Sequence, residues 1–223
     1  MSAVPVRTVI PMIVAPLCLA LGSVLDSTGE PTDVGFLAQV HTDRTAYALS
    51  TVLLAFGLAL MPFAAAGARQ LASGRGATLL RIGWVLTAIG GVAGCASAWM
   101  FGVGHLVASD PSLDPAAMHQ FTTNVTNSPV AVVPTAAGFL LTALGTALIG
   151  IGVWRNRRYG AMGIAAAILL CLFCIGSVVI DASGPASLPR DLPLVLGYGL
   201  LATMAMRRTA DVAAEPDQTP VTV

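Results

Sequence analysis

Six apolar stretches, at residues 8–25, 46–66, 79–107, 130–154, 160–180 and 192–206, follow one another along this 223-residue chain, mostly with short polar joints between them. A helix needs roughly 17–25 apolar residues to cross a hydrocarbon core about 30 Å thick. The first five stretches meet that length. The sixth offers about 22 Å of helix at 1.5 Å per residue, so it is expected to begin nearer Leu188 or to lie tilted against its neighbours. In lipid, only helices and closed barrels satisfy every backbone polar group. The pattern therefore predicts an all-α integral membrane protein, a compact bundle of six transmembrane helices over residues 1–208.

Composition excludes a soluble reading. Hydrophobic residues make up 56% of the chain and charged residues only 10%, against about 25% charged in soluble domains. Mean hydropathy is +0.81. All eleven basic residues are arginine, and with the abundant Ala, Gly and Val this matches the usage of GC-rich bacterial genomes. Arg7 ahead of an apolar run also resembles a signal-peptide start. No small-x-small cleavage site precedes the polar stretch, however, and five more apolar segments follow, so the first is read as a retained span.

Arginine fixes the expected orientation, because short loops rich in Lys and Arg stay in the cytoplasm. Arg7, Arg69, Arg75, Arg81, Arg155, Arg157, Arg158, Arg207 and Arg208 fall in one alternating set of loops and ends, and only Arg44 and Arg190 in the other. That other set holds Asp26, Glu30, Asp33, Asp43, Asp110, Asp114, Asp181 and Asp191. The expectation is both termini cytoplasmic (N-in/C-in), in a bacterial inner (plasma) membrane. Residues 209–223, with Asp211, Glu215, Pro216 and Asp217, carry no apolar period and are read as a disordered cytoplasmic tail. The implied partner is the lipid bilayer, with no nucleic acid. The oligomeric state is not encoded in any visible pattern.

Without a hydrophobic drive between helices in lipid, close packing relies on small residues. Gly90, Gly94, Ala98 and Gly102 form one ridge at four-residue spacing, and Gly138, Thr142, Thr146 and Gly150 another, which places the third and fourth spans centrally. Pro11, Pro16, Pro62 and Pro134 lie inside spans, where each removes a backbone hydrogen bond.

Charge is nearly absent from mid-span positions, which disfavours ion or proton pumping. Ionisable groups gather instead at the outer helix ends. Asp26, His105 and Asp181 are the candidate catalytic residues, because a carboxyl beside an imidazole at the edge of an apolar cavity suits general acid–base chemistry. Trp99, His119 and Asp43 are candidate ligand-binding residues around the same mouth. His41, His105 and His119 lack short metal-ligand spacing, so neither metal nor cofactor is expected. Cys171 and Cys174 form a C-x-x-C inside an apolar run, not at the helix N-terminus that stabilises a thiolate, and are read as structural. In the longest outer loop, about residues 108–129, Asp114–Pro115 marks a helix start, predicting a short amphipathic helix over 115–121.

Three functions fit. The first is binding of a lipophilic small molecule at an outward-facing polar mouth. The second is a small membrane enzyme of the cyclase or isomerase type, acting on a lipid-soluble substrate. Small integral-membrane terpene cyclases are similar in size, apolar bulk and reliance on carboxylates, though no motif ties this chain to them. The third is transport of a neutral solute.

Overall fold

The computed structural model describes residues 6–26, 28, 30–33, 35–71, 74–156, 158–180 and 183–214. Every α or β element among them is an α-helix: α1 (Val6–Leu25), α2 (Phe36–Thr42), α3 (Arg44–Arg69), α4 (Ala77–Ala108), α5 (Pro115–Thr126), α6 (Pro129–Arg155), α7 (Gly160–Val179) and α8 (Leu188–Ala214). Single 3-10 turns at Gly74–Gly76 and Gly184–Ser187 lead into α4 and α8. The six long helices form a closed ring in chain order, α1–α3–α4–α6–α7–α8, with α8 packed back on α1. The short α2 and α5 sit at one end. The other end carries Arg7, Arg69, Arg81, Arg155, Arg158, Arg207 and Arg208.

Both the inside and the outside of the ring are apolar. Fully buried positions are filled by Met12, Met61, Ala64, Ala65, Leu80, Ile149, Leu170, Tyr198, Leu201 and Met204. The outer surface is at least as apolar. Ile10, Ile13, Leu17 and Leu21 on α1, Ile82, Val85, Ile89 and Val92 on α4, and Ile164, Ile168, Leu172 and Ile175 on α7 are all exposed at helical spacing. Soluble monomers rarely expose contiguous apolar surface on this scale. Five helices (α1, α3, α4, α6 and α7) are long and apolar enough to cross a membrane, and with this belt they make the chain a multi-pass, membrane-embedded protein.

The expected sixth span differs from those five. Asp191 and Arg207 bracket its apolar stretch, residues 192–206, which is too short to qualify by length and composition. Its helix nevertheless starts at Leu188 and runs to Ala214, into the segment read as tail. Residues 215–223 lie outside the described residues.

Glycine sets the helix spacing. A Cβ on Gly90 would stand 2.5 Å from the Thr142 backbone nitrogen and 2.7 Å from the Gly138 carbonyl oxygen. On Gly138 it would meet the Gly94 nitrogen at 2.7 Å, and on Gly83 the Gly145 carbonyl at 2.6 Å. The α4–α6 seam therefore runs through Gly83, Thr87, Gly90 and Gly94 against Gly138, Thr142, Gly145 and Gly152. The expected ridges only partly coincide with it. Gly102 turns instead to Thr51 of α3, and Gly150 to Ala167 of α7. At 100° per residue, twelve residues rotate a helical position by about 120°, so a strict four-residue ridge winds off one neighbour and onto the next. Alternating steps of four and three stay on one face.

Proline shapes the α3–α4 contact. Pro62 has no N–H to give the Leu58 carbonyl, and Gly91 of α4 packs against that oxygen, with its Cβ position 2.7 Å away. Glycine at 91 thus leaves room for the carbonyl that proline deprives of its helical donor.

Ring closure rests on one of the two arginines outside the basic set. Arg190 Nε and Nη2 donate to the two Asp191 carboxylate oxygens at 2.8 and 3.1 Å, and Nη2 also reaches the Ser23 hydroxyl of α1 at 3.3 Å. Gly176 of α7 packs against the Arg190 stem. The charge is neutralised where it stands and joins α8 to both neighbours.

Candidate functional site

The end opposite the arginines gathers the C-termini of α1 and α4 with the N-termini of α3, α6 and α8, under α2 and α5. His105 lies in the last turn of α4 and is 5% exposed. Its Nδ1 shares a 2.7 Å hydrogen bond with the Tyr47 hydroxyl, in the first turn of α3. Tyr47 is placed there by its backbone N–H, which donates to the Asp43 carbonyl at 3.0 Å. Phe36 of α2 stands edge-on to the imidazole at 4.9 Å, and Phe101 lies one turn below at 5.9 Å. Phe36, Leu37, Val40, Tyr47 and Ala108 form a second apolar cluster over this end.

The hydrogen bond leaves a chemical choice. If Tyr47 donates to Nδ1, the neutral ring carries its proton on Nε2; if Nδ1–H donates to Tyr47, Nε2 is an acceptor. Either way Nε2 has no hydrogen-bond partner among the described residues.

An open cavity of about 410 Å³ adjoins His105, lined by Pro31, Phe101, Thr126, Val132, Thr135 and Ala136. That falls within the roughly 300–1,000 Å³ typical of small-molecule sites. Its walls are apolar, and from α5 only Thr126 lines it, at the end of a polar row along that helix; His119 and Thr123 stand off the cavity. His119 Nδ1, Thr123 Oγ1 and Thr126 Oγ1 are buried without a hydrogen-bond partner, and steps of four and three put them on one helix face. Neighbouring hydroxyls are satisfied: Thr122 donates to the Met118 and His119 carbonyls, and Thr135 to Ala131 at 2.7 Å. Buried polar atoms without partners cost about 1–3 kcal/mol each, so the unpaired row is a feature to explain.

The residues singled out by sequence fall in different places. Asp26 ends α1 half-buried, accepting from the Thr28 hydroxyl at 2.6 Å and its N–H at 3.3 Å. It is an electrostatic neighbour of the Tyr47 hydroxyl, so Asp26, Tyr47 and His105 share one corner. Asp181 lies outside the described residues. His119 stands on the polar row of α5. Asp43 is exposed between α2 and α3, and Trp99 is 54% exposed on α4; neither is among the residues lining the cavity. Asp110 is a loop acid, its carboxyl held below the usual range by the Ser112 backbone N–H and hydroxyl.

The α5 helix extends through Thr126, past the expected 115–121. Asp114 caps it as predicted, accepting from Ala116 N–H at 3.1 Å, and Ser128, extended ahead of Pro129, marks the boundary with α6. The extension carries Thr123 and Thr126. Tyr47 was missed. The available signal was the cluster Tyr47, Ser50 and Thr51 in an otherwise apolar stretch: all three are buried, Ser50 bonded to the Gly22 carbonyl of α1 and Thr51 seated at Gly102.

Among the described residues, no three His, Cys, Asp or Glu side chains stand together as metal ligands. No protein-family model, curated protein or solved structure matches this chain.

Proposed function

We propose that this chain is a six-span protein of the bacterial inner membrane, both termini cytoplasmic, that receives the polar head of a lipophilic small molecule beside His105. The observation that carries the reading is the cavity's composition: apolar walls around the His105 side chain and the unpartnered Thr126 hydroxyl. Sites for small molecules combine apolar walls with a few convergent polar atoms. Val132, on the wall of this open cavity, is itself exposed, so a ligand reaches the site without the bundle opening. Such a compound should co-purify with the full chain in mild detergent and appear in an organic extract. Ala136→Trp, which fills the cavity, and His105→Phe, which removes both ring nitrogens, should each lower its recovery about tenfold, the worth of one good hydrogen bond or more. Equal recovery from all three proteins would sink the reading.

Tyr47, His105 and Asp26 in one corner favour a second reading, acid–base chemistry on that ligand, with His105 Nε2 as the proton-transfer atom. His105→Gln should then retain the compound but leave it unconverted. Neutral-solute transport is less well supported, because Leu71, Leu80, Tyr198 and Met204 fill the ring towards its arginine end.

Topology is tested separately, with Cys18, Cys95, Cys171 and Cys174 replaced. A single cysteine at Asp43 should react with an impermeant maleimide in intact cells, whereas one at Arg155 should need permeabilisation. A cysteine at Thr209 reports on α8: labelling from outside would remove the sixth span.

A further inference from the structure

The arginine end contains a second cavity, of about 210 Å³, between the start of α7 and the last turns of α8. Arg158, Arg207 and Arg208 line it, with Tyr159, Met162 and Met204. Arginine at this end follows from topology alone, but convergence of three guanidinium groups from two segments on one hollow does not.

The segments that carry these cations are held from behind by backbone carbonyls. Leu71, just past α3, offers its carbonyl to Asn156 Nδ2 at 3.0 Å and to the Tyr159 hydroxyl at 3.5 Å, which fixes the turn that carries Arg158. The adjacent Gln70 carbonyl accepts from Arg208 Nη1. These carbonyls at and just past the C-cap of α3 have no partner inside that helix, and side chains from the α6–α7 turn and from α8 converge on them. Among the described residues Arg207 Nη1 reaches only the Met162 thioether at 3.4 Å, a weak acceptor. Arg208 Nε is buried with no acceptor. Neither Arg207 nor Arg208 is in an ion pair with a described residue, in contrast to Arg190 with Asp191. The first N–H groups of α7 add partial positive charge at the same place.

We propose that this cavity binds a phosphate group, as carried by an anionic phospholipid headgroup or by free phosphate. Guanidinium forks match phosphate oxygens in bidentate geometry. Basic pockets between helices on the cytoplasmic side are also where anionic headgroups bind. Tyr159, Met162 and Met204 supply apolar contact below the phosphate.

The test is native mass spectrometry of the full chain in neutral detergent with added phosphatidylglycerol, phosphatidylcholine or inorganic phosphate. Phosphatidylglycerol should be retained over phosphatidylcholine. Arg207→Gln should reduce retention about tenfold, since hydrogen bonds to charged groups exceed neutral ones, and Arg207→Lys should do so less. Among the described residues Arg207 hydrogen-bonds only Met162, so the variant should elute from size exclusion as the native protein does. Arg155→Gln, at the same end but off the cavity, should retain lipid as the native chain does. Inorganic phosphate that displaces the lipid from native protein assigns the site to free phosphate; retention in its presence assigns it to the headgroup. Undiminished retention by Arg207→Gln, or equal loss in Arg155→Gln, overturns the proposal.

Discussion

Gly90→Val is expected to destabilise the bundle by about 3 kcal/mol or more, the upper range of overpacking. That corresponds to a fall of roughly 6–12 °C in unfolding midpoint for a chain of this size. The reason lies in what the new side chain meets: backbone nitrogen and oxygen of α6 at 2.5 and 2.7 Å. A flexible side chain gives way cheaply, but a helix backbone moves only as a whole. Gly104 on the same helix has nothing within 4 Å of its Cβ position, so Gly104→Val should leave the midpoint nearly unchanged. Thermal unfolding in detergent, followed by tryptophan fluorescence, reads both. Equal midpoints for the two variants would remove the seam from the account of stability.

Arg190→Leu should be similarly severe, about 3–5 kcal/mol, because it leaves Asp191 buried without its cation. Asp191 is 4% exposed and both its oxygens accept from that one guanidinium. Replacing both residues with leucine should restore most of the loss, since a buried pair exchanged for apolar side chains is often close to neutral. A double-mutant cycle isolates the coupling. If the double variant is as unstable as the single, Arg190 acts through its packing on Gly176 and Ser23 and not through the charge.

The five apolar helices were legible because span length is a direct count of consecutive apolar residues, and nothing tertiary has to be known. α8 was harder: Asp191 and Arg207 cut its apolar stretch, and the Arg190–Asp191–Ser23 arrangement at its start depends on a neighbour from the far end of the chain. The seam was half legible for a geometric reason. Gly90 and Gly94 could be listed, but α4 faces both α3 and α6, and sequence does not say which glycine meets which. At the end opposite the arginine cluster, Asp26 and His105 stood out as ionisable groups at helix termini. Tyr47 did not, because a tyrosine at the entrance to a span has the same signature whether it faces lipid headgroups or a buried histidine. The polar row of α5 is not visible in the sequence, because the pattern predicts a helix that stops at 121, ahead of Thr123 and Thr126.

Ring order bears on how the chain is made. Each long helix from α3 onward lies beside the one synthesised before it, so most of the bundle can assemble pairwise as it leaves the ribosome. The last joint is different. α8 must find α1, the long helix most distant from it along the chain, and it does so carrying a short apolar stretch and an ion pair. Its seat, between the flank of α1 at Ser23 and that of α7 at Gly176 and Leu170, exists only once those two helices are in place. Closure of the ring is therefore conditional on the helices between them, and an error in any of these would surface as a failure to seat α8.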